Sequence, residues 1–167
     1  MATRHLMTAT ILSVLLIAPG ALAQGQPNFS GIWMHDEGPP YPGVPSDPDL
    51  EAEVQVVHTP TSIAFGVRVQ SKSKPAQRTQ LIASTIWTDG RQMKVTAPDG
   101  TETTSSGSWQ ADKFVVKAVA RKGGQVVRTT TSTWSLDSTG RLVIEQSVQA
   151  LNQAQPVTIR IVHRRKK

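Results

Sequence analysis

The side chains with the widest chemical repertoire in this chain are few and scattered. His35, Asp36 and Glu37 stand together, while His58 and His163 lie far away in sequence. Imidazole with carboxylate is a ligand set that suits zinc, but this spacing fits no metal-binding motif. In an extended segment neighbouring side chains point to opposite faces, so at most His35 and Glu37 could converge. These residues read as polar groups at a loop entrance, with no metal and no cofactor. Nucleophilic catalysis needs a positioned nucleophile, a base and a group that orients the base. Serine and threonine are abundant, yet no Gly-x-Ser-x-Gly elbow occurs and no histidine has a partner close in sequence. Gly123-Gly124 is too short to cradle a phosphate. The chain has no cysteine, which excludes thiol chemistry, thiolate metal sites and disulfides. No catalytic residue is assigned, and the chain reads as non-enzymatic.

Tryptophan offers a different chemistry. Trp87, Trp109 and Trp134 each fall on a β-rich run, and aromatic rings inside a barrel make walls for an apolar ligand. They are the candidate ligand-binding residues, with core packing as the competing explanation. Two hydroxyl rows, Thr101-Glu102-Thr103-Thr104-Ser105-Ser106 and Thr129-Thr130-Thr131-Ser132-Thr133, read first as solvent-facing cross-strand ladders. A hydrogen-bonding carbohydrate surface is the sharper alternative.

The elements that would position these residues are strands. A first strand at Gly31-Ile32-Trp33-Met34 is followed by a Pro-rich loop over 38–48, whose five prolines forbid ladder pairing; Asp49 to Glu53 could then form one helical turn. From Val54 onward, β-rich runs alternate with turn signals at hairpin spacing: 54–58, 62–70, 78–87, 92–97, 101–110, 113–121, 125–136, 141–150 and 157–164. Asp89-Gly90, Pro98-Asp99-Gly100 and Gly123-Gly124 supply the positive φ that tight hairpins require. Strands joined so briefly must be antiparallel. Phe114, Val116, Ala118 and Ala120 share one face of their run, opposite Lys113, Lys117 and Arg121. The fold class is therefore all-β, an antiparallel up-and-down meander of nine or ten strands. Such a meander leaves exposed edges unless it closes, which makes a barrel or strongly curved sheet the natural arrangement.

Charge and the N-terminal segment speak to location. Six acidic residues and no basic one lie between Asp36 and Glu53, whereas residues 54–167 carry 17 Lys/Arg against six Asp/Glu. A positive field attracts anionic polymers, although singly spread charges serve solubility as well; the only true cluster is His163-Arg164-Arg165-Lys166-Lys167. Residues 1–23 have the layout of a cleaved signal peptide: Arg4 and His5, an apolar run from Leu6 to Ala18, then Ala21-Leu22-Ala23 as a small-x-small cleavage site. The run is too short to span a bilayer, and no cysteine follows it to carry a lipid. The expected product is a single domain over 24–167, periplasmic or secreted, with no transmembrane anchor after cleavage.

Asn28-Phe29-Ser30-Gly31-Ile32-Trp33 resembles the Ser-Gly-x-Trp opening of bacterial secreted lipocalin-like domains, and of calycins more widely. The likeness extends through Trp87-Thr88-Asp89-Gly90, Gly107-Ser108-Trp109, Ser132-Thr133-Trp134 and Ile161-Val162-His163-Arg164. It implies a barrel in which Gly31 lets the chain enter the base, Trp33 plugs that base, and Arg164 packs over the indole, with Arg165 as the alternative partner. Those roles are structural. The leading expectation is an exported lipocalin-like protein that binds an apolar or amphipathic small molecule without catalysis. The alternative is a non-enzymatic cell-envelope interaction module that binds an anionic polymer or a partner protein through its basic surface; no nucleic acid is expected as a partner.

Overall fold

The computed structural model describes residues 25–39, 47–74, 76 and 78–167. The segment read as a signal peptide and most of the Pro-rich loop fall outside them. Ten strands follow one another: β1 (Gly31–Glu37), β2 (Leu50–His58), β3 (Ser62–Ser71), β4 (Arg78–Trp87), β5 (Met93–Thr96), β6 (Glu102–Gln110), β7 (Lys113–Lys122), β8 (Gln125–Leu136), β9 (Leu142–Ala150) and β10 (Val157–Arg165). Each pairs antiparallel with its sequence neighbours except β4 with β5, and β1 pairs with β10, giving the order β4-β3-β2-β1-β10-β9-β8-β7-β6-β5. The meander thus rolls up until its two ends, β4 and β5, approach each other. An Asp89–Ser108 bridge and a Gly90 N–H to Gly107 carbonyl bond of 2.9 Å draw the end of β4 onto β6. The result is a nearly closed barrel with one seam.

The all-β meander expected from the sequence is observed. One local expectation is corrected: Leu50 to Glu53 do not form a helical turn but open β2, paired with Ser71 to Arg68 of β3. The ladder available from β3 outweighs the local turn tendency of an acidic stretch, because it satisfies each backbone group in register. Asp49 instead accepts bonds from the Ser71 and Ser73 hydroxyls and from Ser73 N–H.

Side-chain alternation sorts the barrel into an inner and an outer face. Trp33, Val54, Val56, Ile63, Val67, Phe114, Trp134, Leu142 and Ile144 point inward and are buried, with Phe29 from the lead-in segment among them. This core occupies one end only. It lies under the β2–β3, β6–β7 and β8–β9 turns; the other end, ringed by the β5–β6, β7–β8 and β9–β10 turns, is the mouth. Gly107 is required by this packing, because a Cβ there would overlap the Phe114 ring and the Ile86 methyl.

Candidate ligand-binding lumen

The closed end is built around Trp33, which is wholly buried. Its Nε1–H donates to the Phe29 carbonyl at 2.8 Å, tying the chain's lead-in segment under the barrel. The guanidinium over its ring, 4.5 Å from the centroid, belongs to Arg165, which also donates to the Ser30 carbonyl at 2.7 Å. This corrects the assignment to Arg164. Strand β10 alternates, so Arg165 pairs across from Trp33 on the inner face while Arg164 faces outward, 3.9 Å from Asp36. Gly31 has φ of 147°, and the Arg165 Nη1 passes 2.6 Å from where its Cβ would sit. A side chain there would displace the stacked guanidinium.

Above the plug, residues paired across neighbouring strands form successive tiers of the inner wall. The floor tier is Trp109, Phe114, Trp134 and Ile144. Next come Gly107, Val116, Ser132, Gln146 and Ile159, then Ser105, Ala118, Thr130, Val148 and Val157. The rim tier is Thr103, Ala120, Arg128 and Ala150. Large aromatics at the floor thus give way to small aliphatic and hydroxyl side chains toward the mouth. Inward-facing Val157 is 50% exposed, so the upper lumen is open to solvent. A recess of about 680 Å³ at the rim is lined by Thr103, Ala120, Arg128, Ala150 and the β5–β6 turn. Arg128 makes no ion pair among the described residues. A second recess, about 460 Å³, lies on the outer side, where small Ala64, Gly66 and Ala83 meet Met93 and Val95 across the β4–β5 seam.

The candidate tryptophans separate. Trp109 and Trp134 pack into the floor, where Trp109 stacks on Phe29 at 5.6 Å and Phe65 meets Trp134 edge-on at 5.3 Å. Trp87 lies on the outer face beneath the Arg91 guanidinium, 4.2 Å away. The hydroxyl rows do not form solvent ladders throughout: Thr103, Ser105, Thr130 and Ser132 face the lumen, and only the alternate residues face out. Strict period-two alternation makes any such row contribute to both faces, a signal legible once β6 and β8 are placed in one barrel.

The polar cluster at the end of β1 also separates. A bulge between His35 and Glu37 breaks their common face. His35 turns inward, edge-on to His163 at 6.2 Å. Asp36 and Glu37 turn outward and, with Asp137, hold the Arg141 guanidinium at 3.1, 2.7 and 2.8 Å. The Thr139 hydroxyl and the Arg141 backbone keep the Asp137 carboxyl well below the usual carboxylate range, and this carboxylate cluster holds Arg141 firmly protonated. Burial, with His35 alongside, pushes His163 down to about 4. Among the described residues no three His, Asp or Glu side chains converge on a metal position.

No family model matches the chain, and no curated protein matches it. Solved structures do. Apo Caenorhabditis elegans lipid binding protein 8 superposes with a TM-score of 0.52 at 16% identity, over 83% of this chain and 95% of that one. A structure titled REP1-NXSQ fatty acid transporter gives 0.49 at 13% identity, over 83% and 96%. At such identity the first likeness speaks to architecture alone: the chain folds as a calycin-like barrel.

Proposed function

We propose that this chain is an exported, non-enzymatic binding protein that holds one apolar or amphipathic small molecule in the mouth half of its barrel. The observation that carries the reading is a set of inward-facing aliphatic side chains left open to water above a filled aromatic floor. Exposed Val157 and half-buried Ala118, Val148 and Ile159 gain about 25 cal/mol for each Å² an apolar ligand covers. Ser105, Thr130, Ser132 and Gln146 provide a few hydroxyl and amide groups among them, the mix of apolar wall and sparse polar contacts expected of a ligand site. Arg128 at the rim supplies a cation for an anionic head group. The floor tryptophans, Trp109 and Trp134, set the depth to which a ligand descends, and Trp87 is outside this site. The calycin-like architecture, shared with a structure whose title names a lipid binding protein, supports the same reading.

A fluorescent anilinonaphthalene probe and its displacement by a series of fatty acids test this. Saturable one-to-one binding is expected, and filling the lumen with Ala118→Trp should weaken it about tenfold or more, the scale of about 1.4 kcal/mol of lost apolar contact. Equal affinity in the wild-type and Ala118→Trp proteins would remove the site from the lumen.

A further inference from the structure

The cations of this chain are unevenly committed, and three of those without an ion pair among the described residues line up on β7. The C-terminal cluster, which in sequence looks like an interaction tail, is spent within the barrel: Arg164 faces Asp36, Arg165 covers Trp33, and Lys166 Nζ lies 2.8 Å from Glu53. Because β1 and β10 are neighbours, the acidic stretch and the basic tail meet at one junction and neutralise each other. On the outer face of β7, by contrast, Lys113, Lys117 and Arg121 are exposed and have no ion pair among the described residues. Glu102 on adjoining β6 is held by Lys94 at 2.7 Å, and Glu145, one strand farther on β9, lies 4.0 Å from Arg160.

The flanks of this stripe are hydroxyls. Register places Lys117 between Ser106 and Thr131, and Val119 between Thr104 and Thr129. The outward halves of both hydroxyl rows therefore border the same strand. Cations at every fourth residue recur about every 13 Å along it. We propose that this face of β6–β8 docks a linear acidic polysaccharide, its carboxylate or sulfate groups on the three cations and its sugar hydroxyls on the flanking side chains. Charge complementarity commits the face to a polyanion. The aromatics of these strands all point inward, which leaves nothing for nucleic-acid bases to stack on. Val115 is buried, Val119 is half-buried and only Val126, beside Arg121, is exposed at 38%, so this face offers a bilayer little apolar surface.

Binding of labelled polygalacturonate at low salt tests this. The wild-type protein should bind and lose affinity as salt screens the contact. Lys113→Gln, Lys117→Gln and Arg121→Gln together should weaken binding about tenfold, three exposed charge contacts each contributing a factor of about two to three. Removing Lys74, Arg91 and Lys167 instead, an equal change in net charge, should leave it nearly unchanged. Ser106→Ala with Thr131→Val should weaken the polysaccharide but not polyglutamate. In the unmodified protein, polygalacturonate should protect Lys113 and Lys117 from acetylation, read by mass spectrometry, which keeps the test independent of variant folding. Absence of that protection, equal loss in the two charge variants, or stronger binding to duplex DNA or to phosphatidylglycerol vesicles would overturn the proposal.

Discussion

At Trp33 and Arg165 a stacked pair closes the base of the barrel, and its worth can be measured one side chain at a time. Arg165→Ala should cost about 0.5–1 kcal/mol of stability, the cation–π contribution at a partly exposed site. Arg164→Ala should cost less, since its contact with Asp36 is a long, exposed ion pair. Chemical denaturation separates the two, and the reverse ranking would refute the assignment of Arg165. Gly107→Ala should destabilise by about 1–3 kcal/mol through overpacking against Phe114 and Ile86. His163 gives a pH signature. Its folded-state pKa, pushed down to about 4, lies below the unfolded value of about 6.5. The unfolded chain therefore binds more protons between those values, and stability, complete above about pH 6.5, falls toward pH 4 at up to about 1.4 kcal/mol per pH unit. Thermal melts of His163→Gln should show a shallower decline over that window. His58, also lowered by burial, keeps some slope in the variant, and an unchanged slope would clear His163 of the effect.

Among the elements, the tight turn Ala111-Asp112 holds the one described non-glycine residue with positive φ, Ala111 at 54°. A left-handed alanine costs about 1 kcal/mol, so Ala111→Gly should be neutral to stabilising by up to about 1 kcal/mol, in contrast with the usual penalty for glycine in a strand. A melt showing clear destabilisation would mean that the β6–β7 hairpin is held by its alanine methyl. The strands and turns were legible in the sequence because alternation and Gly or Asp turn signals are local. Register was not. Which arginine covers Trp33 depends on a one-residue phase in β10, and Leu50 to Glu53 become a strand only because β3 lies beside them. The two-faced role of the hydroxyl rows likewise needed both neighbours of β7. The tryptophans could be counted from sequence, but their division between the floor and the outer wall follows from barrel closure, a contact between β1 and β10 separated by most of the chain.

For the whole molecule, export, the lumen and the basic stripe form one proposal about an envelope-facing binding protein. Expression with the N-terminal segment intact should yield a product beginning at Gln24 outside the cytoplasm; an unprocessed chain retained inside would contradict export. Arg128→Gln should reduce affinity for decanoate about two- to five-fold while leaving decanol nearly unchanged, the yield of one exposed charge contact. The central claim, a ligand in the mouth half of the barrel, is tested most directly by amide and indole chemical-shift mapping during titration with decanoate. Shifts are expected to gather at Ser105, Ala118, Thr130, Val148 and Val157, with the Arg128 amide moving and the outer residues Lys117 and Thr131 much less. Saturating shifts confined to the outer face, or none at all across an apolar ligand series, would contradict it.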